Sequence, residues 1–365
     1  MPKSLLPFIV WLLFVAPIHA QDEKPLRVGV AGLVHGHVGN ILGHMDRKDI
    51  QIVGIFEPDA EVVKAAEGRF HFDPAIVKPD IEAMLDAAKP EAVVVFTSIA
   101  GHIDVIRACA KRGIHVMVEK PLALNAAEAR EVEQLAAKYK IHVLTNYETT
   151  WYPTTQEIQR KVAKGDLGEI RKMVAGDGHA GPKEIGCGPE FLKWLTDPAR
   201  NGGGAIIDFG CYGANLMSWL MRGALPRSVF AVTQKFKTDP LYARVDDEAT
   251  IVLAYDKAQG IIQASWNWPY NRKDLAVYGT GGTAIADDRT HLRLRPALNA
   301  PEQAVELPLA EAPFDNEFTY FAAVVRGKVD PAGSLSSLPI NVATMEILDA
   351  ARKSSAEGKA VTLGD

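Results

Sequence analysis

The chain of 365 residues is poor in cysteine, with only Cys109, Cys187 and Cys211. An odd and sparse set allows at most one disulfide, which excludes a small scaffold held together by disulfides. The cysteine spacing matches no zinc motif, and the 10 histidines form no H-E-x-x-H pattern. The sequence therefore predicts no metal site.

Blocks of like charge are also lacking, because the net charge of −5 comes from both signs scattered along the chain. Without a basic block, nucleic acid and an anionic membrane surface are not expected as partners.

Long apolar runs are lacking except near the start, where MPK precedes LLPFIVWLLFVAP. That run is too short to span a bilayer comfortably, and IHA followed by QDEKP suits a cleavage site. We predict a secretory signal over residues 1–20 and an exported, periplasmic or extracellular protein without stable membrane insertion. An uncleaved anchor helix remains the alternative.

Short apolar runs alternate with amphipathic stretches from Leu26 to about Leu144. The runs are rich in Val and Ile, as in strands buried on both faces. The strand candidates are LRVGVAG, QIVGIF, AVVVF, IHVMV and IHVL. The helix candidates include DAEVVKAAEGRF, HIDVIRACAKRG and NAAEAREVEQLAAKYK. This alternation predicts an α/β fold with a doubly wound parallel sheet over residues 21–145.

The pattern changes after Asn146, where strands follow one another with few helices between them. The strand candidates are EIRKMVAGD, RSVFAVTQKF, EATIVLAYD, QGIIQASWNW and LAVYGTGG. They predict a second domain over residues 146–365, built on a mostly antiparallel sheet. A long amphipathic helix near the end could pack back on the first domain.

A glycine-rich turn follows the first strand, where RVGVAG runs into LVHGHVGNIL. Such a turn binds a dinucleotide pyrophosphate through backbone N–H groups, so Gly32, Val34, His35, Gly36 and His37 are cofactor-binding candidates. The spacing departs from G-x-G-x-x-G, because Val34 and His37 occupy the second and third glycine positions. Glycines that serve only strand–helix packing remain an equal alternative.

Glu57 ends the second strand, 25 positions after Gly32. A carboxylate there accepts hydrogen bonds from the ribose hydroxyls and repels a 2′-phosphate, which favours NAD over NADP. A solvated loop glutamate is the alternative.

Three polar residues interrupt the apolar segment GGGAIIDFGCYGANLM. Asp208, Tyr212 and Asn215 have helical spacing and would share one stripe. The preceding glycines would let the chain approach a ligand closely.

The stretch IHVMVEKPLAL places Glu119 and Lys120 at the carboxyl end of a buried strand, where parallel sheets bind ligands. Pro121 makes a cis bond after Lys120 possible. With these residues the chain resembles the Gfo/Idh/MocA family, named for glucose–fructose oxidoreductase, inositol dehydrogenase and rhizopine catabolism. The likeness extends in order over nearly the whole mature chain.

The resemblance implies a Rossmann domain, an open second sheet that pairs in a homo-oligomer (a dimer or tetramer), and an active site between nicotinamide and that sheet. It implies that Lys120 is catalytic and binds substrate. Asp208 matches a family Asp, whereas Tyr212 and Asn215 replace a family His and Asp. The resemblance makes all three substrate-binding candidates, and it makes Asp208 and Tyr212 catalytic candidates. Tyr212 resembles the glucose–fructose oxidoreductase branch, where the Tyr is the expected acid/base. A neighbouring Lys ammonium would lower its pKa.

Further candidates come from the same segments. Thr97, His102, Glu119 and Lys120 follow strand ends and are cofactor-binding candidates, and His179 is a substrate-binding candidate. Trp266 and Trp268 in SWNWP could cover a sugar face, or could belong to the core or a dimer interface.

Three functions remain open on the sequence. The first is an oxidoreductase acting on a sugar, cyclitol or polyol with tightly held NAD, since an exported protein meets little free NAD. The second is an NAD-dependent glycosidase that oxidises its sugar transiently and cleaves by elimination. The third is a non-enzymatic nucleotide or sugar binder.

Overall fold

A computed structural model describes residues 24–297 and 299–364. The predicted secretory segment, residues 1–20, lies outside the described residues. In the part of the chain that is described, no helix combines the length and apolarity needed to cross a membrane.

The first described sheet has six parallel strands in the order β3-β2-β1-β4-β5-β6. The strands are β1 (Leu26–Ala31), β2 (Ile50–Phe56), β3 (Val77–Lys78), β4 (Ala92–Val95), β5 (His115–Glu119) and β6 (Val143–Asn146). All of β4 and nearly all of β1 is buried, as the continuous apolar runs predict. The Rossmann sheet is therefore confirmed.

Helices cover this sheet, and polar side chains fix where they begin. They are α1 (Gly39–Leu42), α2 (Ala60–Phe70), α3 (Ile81–Ala88), α4 (His102–Ala110) and α5 (Ala126–Tyr139). Asp59 accepts from the first-turn N–H groups of α2, and Asn125 does so for α5. These caps satisfy donors that have no partner inside a helix.

The second described sheet has nine strands in the order β14-β13-β12-β11-β7-β10-β9-β8-β15. They are β7 (Ile170–Gly178), β8 (Ser228–Gln234), β9 (Glu248–Ala254), β10 (Gln259–Ser265), β11 (Arg272–Gly279), β12 (Thr283–Ala286), β13 (His291–Arg295), β14 (Gln303–Glu306) and β15 (Val361–Thr362). All neighbours are antiparallel except β7 and β10, which are parallel. The mostly antiparallel sheet is confirmed.

The remaining helices join the two sheets. They are α6 (Pro153–Lys164), α7 (Pro189–Leu195), α8 (Pro198–Asn201), α9 (Ala205–Asp208), α10 (Gly210–Leu220), α11 (Glu317–Val325) and α12 (Leu338–Glu357). Every residue of α10 is buried. Helix α12 also reaches α5, where the carboxylate of Asp349 accepts from the Ala126 N–H at 2.7 Å.

Helix α11 returns to the first sheet, although it belongs to the segment assigned from sequence to the second domain. Phe318, Phe321 and Val324 join the apolar cluster that contains Val28 and Val30 of β1. Sequence order alone does not reveal this return, because α11 is apolar on most of its surface and would fit either core.

Candidate active site

A cavity of about 600 Å³ lies where the carboxyl edge of the first sheet meets one end of the second. Lys120 enters it from the end of β5, Asp208 and Tyr212 from α9 and α10, and His179 from the end of β7. The structure therefore brings together four residues that the sequence analysis assigned to substrate or catalysis.

Lys120 and Asp208 form a buried ion pair at this junction. The Lys120 ammonium donates to Asp208 Oδ1, and to the Asp208 carbonyl oxygen at 2.9 Å. Trp266, which is fully buried, donates its Nε1–H to Asp208 Oδ2 at 2.9 Å. Both carboxylate oxygens are thus held, and Trp266 positions Asp208 rather than covering a sugar. The cis bond between Lys120 and Pro121 is also present.

Mutual stabilisation keeps both members of the pair charged. Burial alone would lower the pKa of Lys120, but the charge of Asp208 raises it above its usual value. Burial alone would raise the pKa of Asp208, but the charge and hydrogen bond of Lys120 lower it. The cavity therefore holds a fixed cation and a fixed anion at neutral pH.

Tyr212 lies beside the pair, but its pKa is not lowered as expected. Lys120 Nζ is 5.2 Å and Lys273 Nζ 4.8 Å from the centre of its ring. Burial raises the pKa of Tyr212 well above its usual value, and the negative charge of Glu148 adds to this. The expectation was wrong because the Lys120 ammonium is bound to Asp208 and lies over the ring. Tyr212 is a neutral phenol at neutral pH.

His179 contributes a hydrogen-bond donor to the cavity. Its Nδ1 accepts from the Gly181 N–H at 2.9 Å, so the neutral ring carries its proton on Nε2. Burial lowers the pKa of His179. The ring packs edge-on against Phe209, with centroids 4.7 Å apart. Trp268 is half-buried outside the cavity lining, and the Arg272 guanidinium lies 4.9 Å from its ring centre.

The structure does not bring Asn215 into the cavity. The apolar segment is two helices rather than one, because α9 ends at Asp208 and α10 begins at Gly210. Asn215 is fully buried on α10 and donates to the Leu335 carbonyl at 3.0 Å and to Asn341 Oδ1 at 3.3 Å. Its assignment to substrate is corrected, because the side chain holds α10 to the segment that leads into α12.

The triple glycine serves packing within the protein rather than approach to a ligand. A Cβ on Gly204 would lie 1.7 Å from the Asp246 carbonyl oxygen. The Asp246 carboxylate accepts from the Gly204 N–H at 2.8 Å and the Ile206 N–H at 2.7 Å. Asp246 thereby fixes the start of α9, which positions Asp208.

Several cavity residues were not found from the sequence. Lys273 pairs with Glu148, and Tyr152 donates to the other oxygen of Glu148 at 2.5 Å. Lys273 precedes the buried Leu275 and Val277 by two and four positions on β11. The sequence signal that could have identified Lys273 was therefore its place on the same face of β11 as the buried Leu275 and Val277.

The first-sheet edge fits a dinucleotide at two points. Gly32 has φ +87°, and a Cβ there would lie 2.6 Å from the Thr97 backbone nitrogen, so only glycine suits this turn. The buried Glu57 carboxylate accepts from the Leu33 N–H at 2.8 Å and the Asp59 N–H at 3.1 Å. Its remaining lone pairs suit ribose hydroxyls. Burial raises the pKa of Glu57 above its usual value.

The altered part of the turn offers fewer free donors. The His35 N–H bonds to the Phe96 carbonyl at 3.1 Å, and the His37 N–H to His35 Nδ1 at 3.2 Å. The Val34 carbonyl accepts from Trp194 Nε1 at 3.2 Å. Gly36 stays open, because a Cβ there would meet nothing within 4 Å.

The other cofactor candidates end near this edge. Thr97 Oγ1 donates to the Ser98 carbonyl at 2.9 Å, and His102 Nδ1 lies 3.3 Å from the Leu122 carbonyl oxygen. Burial lowers the pKa of His102 to about 4, so its ring is neutral. Glu119 accepts from Asn146 Nδ2 at 2.9 Å and lies beside His37.

Two family models match the chain in order. Residues 26–147 match the oxidoreductase family with an NAD-binding Rossmann fold, and residues 155–285 match the GFO/IDH/MocA C-terminal domain. Together they span more than two thirds of the chain.

Curated relatives include trans-1,2-dihydrobenzene-1,2-diol dehydrogenases. The Sus scrofa protein is 25% identical over 300 residues, which cover 81% of this chain and 83% of that protein. The Xenopus laevis protein is 28% identical over 181 residues, 50% of this chain and 51% of that protein. The match to the Xenopus protein thus spans about half of its length.

Solved structures share the fold. An aldose-aldose oxidoreductase from Caulobacter crescentus, complexed with glycerol, has a TM-score of 0.77 at 20% identity and covers 93% of this chain and 100% of its own. An inositol dehydrogenase homologue from Azotobacter vinelandii, complexed with NAD+, has a TM-score of 0.79 at 21% identity. This match covers 94% of this chain and 98% of the homologue. With both domains matched in order, the chain belongs to the GFO/IDH/MocA oxidoreductase family.

Proposed function

We propose that the protein is an NAD-dependent oxidoreductase that exchanges a hydride with a CH–OH carbon of a sugar or polyol. The buried Lys120–Asp208 pair, set at the end of β5 with Tyr212 beside it, carries this proposal. NAD, when bound at the first-sheet edge, would accept or return the hydride. The diol dehydrogenases and the glycerol and inositol-type neighbours support a polyhydroxylated substrate.

The cavity suits such a substrate because it offers donors and acceptors at fixed places. Lys120 and the Nε2–H of His179 can donate to substrate oxygens, and Asp208 can accept from hydroxyls. The rings of Phe209 and Tyr212 add apolar surface for the C–H face of a sugar.

Tyr212 sets the proton chemistry. As a neutral phenol it can protonate a carbonyl oxygen while hydride reaches the carbon, so a carbonyl is reduced to an alcohol with charge in balance. The Lys120 ammonium would polarise that oxygen. In the reverse direction Tyr212 must first lose its own proton, which the raised pKa opposes. At neutral pH the raised pKa therefore keeps Tyr212 in the protonated form that the reductive direction uses.

We further propose that the protein is exported and retains its cofactor between turnovers, with a second sugar restoring the redox state. Helix α7 covers the glycine turn, because Trp194 bonds to Val34 and Phe191 packs edge-on against His35 at 5.0 Å. Tyr212 in place of the family His also resembles the glucose–fructose oxidoreductase branch.

The test uses protein purified from the exported fraction, with Lys120→Met as the matched variant. We expect bound NAD by mass spectrometry, and oxidised and reduced sugars in equal amounts from an aldose pair without net NADH. Cleavage of aryl glycosides with exchange of solvent deuterium would instead indicate the glycosidase. Bound nucleotide or sugar without turnover of either substrate class would indicate a non-enzymatic binder and contradict the proposal.

A further inference from the structure

Three side chains of metal-binding type converge beside the cavity, and two of them, His35 and His37, line its wall. His35 and His37 come from the turn after β1, and Glu119 is the last residue of β5. One ligand atom from each lies within 4.8 Å of the other two. His37 Nδ1 is 3.2 Å and His35 Nε2 4.0 Å from Glu119 Oε2.

Two of these atoms are buried and meet only other members of the cluster. Within the described residues, Glu119 Oε2 and His37 Nδ1 have no partner beyond the ion-pair contacts inside the cluster, and Glu119 is only 3% exposed. Buried polar atoms of this kind are rare and call for a ligand or another explanation. Both atoms face the centre of the three-residue cluster.

Neighbouring residues hold Glu119 in this orientation. Asn146 Nδ2 donates to Glu119 Oε1 at 2.9 Å, and Trp151 Nε1 donates to Asn146 Oδ1 at 2.9 Å. These bonds fix one carboxylate oxygen and leave Oε2 for the imidazoles. Metal-binding carboxylates are commonly supported in this way.

We propose that His35, His37 and Glu119 bind a divalent transition metal of the zinc class. Two imidazoles and one carboxylate are a donor set of catalytic zinc sites, which keep a further position open. Bonds of about 2.0–2.1 Å place tetrahedral ligand atoms about 3.3 Å apart, so His37 and Glu119 already fit. His35 Nε2 is 4.0 Å from Glu119 Oε2 and within 4.8 Å of His37 Nδ1, so the His35 ring must close about 0.7 Å towards Glu119 and up to about 1.5 Å towards His37.

Metal binding at His35 Nε2 requires the ring proton on Nδ1. The bond from the His37 N–H to His35 Nδ1, 3.2 Å long, is then given up. Because His35 and His37 line the same cavity as Lys120 and Tyr212, the open metal position would face it. An oxygen of water or of a substrate hydroxyl or carbonyl would fill that position. This site departs from the sequence expectation of no metal, because H-x-H with a distant Glu matches no local motif.

The test measures metal binding without turnover, so it is independent of the proposed hydride transfer. Chelator-treated full-length protein is titrated with Zn²⁺, with and without added NAD, and Co²⁺ absorption reports the ligand geometry. We expect one zinc per chain, and affinity weakened at least about tenfold in His37→Gln and Glu119→Gln.

The variants are chosen so that loss of fold does not mimic loss of the site. Glu119→Gln keeps an acceptor for Asn146, and His44→Gln changes an exposed histidine outside the cluster. Circular dichroism checks the fold of each. Absence of stoichiometric zinc both with and without NAD, or equal affinity in wild type and both cluster variants, would overturn the proposal.

Discussion

Asp208 holds two buried donors, and replacing it with asparagine leaves one acceptor oxygen for both. Its Oδ1 accepts from Lys120, and its Oδ2 accepts from Trp266 at 2.9 Å. In Asp208→Asn the amide oxygen can accept from Lys120 or from Trp266, and the remaining donor then faces the amide NH₂ group. In Lys120→Met the Asp208 carboxylate keeps Trp266 but loses its counter-charge.

The expected size of the effect follows from burial. The side chains of Lys120 and Asp208 are 9% and 7% exposed, so water screens the pair little. Breaking such a pair costs about 3–5 kcal/mol of unfolding free energy, since one charge stays buried and unpaired. The double variant holds no unpaired charge, so it should cost at least about 2 kcal/mol less than the sum of the singles.

Urea unfolding and hydride transfer are measured for the wild type, both single variants and the double variant. We expect the double variant to lose less unfolding free energy than the two single variants lose together. We expect all three variants to be inactive in hydride transfer. The exposed pair of Lys257 and Glu169 serves as control, with no measurable coupling between Lys257→Met and Glu169→Gln. Additive destabilisation at the buried pair, or hydride transfer in the double variant, would refute the reasoning.

Three further predictions concern the proton, the cofactor and the assembly. Because burial holds the pKa of Tyr212 high, carbonyl reduction should vary little from about pH 6 to about pH 9, while alcohol oxidation rises with pH. Tyr212→Phe should abolish that rise in single-turnover rates. Glu57→Gln should shift the ratio of NADP to NAD affinity by about tenfold towards NADP, measured by calorimetry. Phe230 and Val232 are 39% and 48% exposed on one face of β8. Their double replacement by Glu should convert an oligomer to monomers in light scattering.

Each of these has a clear contrary outcome. An oxidation rate that rises with pH equally in Tyr212→Phe would assign the proton to another group. Stronger binding of NADP than NAD by the wild type would contradict the role of Glu57. An unchanged molar mass in the double Glu variant would remove that sheet face from the interface.

Local patterns predict most of the fold because each element carries its own signal. The Val- and Ile-rich runs fix the buried parallel strands, and Asp59 and Asn125 mark helix starts. Strand β3 was missed because two residues carry no periodicity. The return of helix α11 to the first sheet was not predicted, because its apolar surface does not say which sheet it meets.

The site was predicted where a residue follows a buried strand or interrupts an apolar helix, as Lys120, Asp208 and Tyr212 do. Asn215 satisfied the same pattern, but it lies almost one turn beyond Tyr212 on α10, where its side chain donates to the Leu335 carbonyl instead of entering the cavity. The pairing of Lys273 with Glu148 joins residues 125 positions apart, and only the folded chain brings them together.

The central claim is that a substrate hydride moves to NAD in the cavity that holds Lys120. The most direct measurement is a single turnover with a C-deuterated polyol or aldose, followed by mass spectrometry of the nicotinamide. We predict deuterium in the nicotinamide for wild type and none for Lys120→Met. Unlabelled nicotinamide in the wild type across a panel of sugars and polyols, or equal labelling in Lys120→Met, would contradict the account.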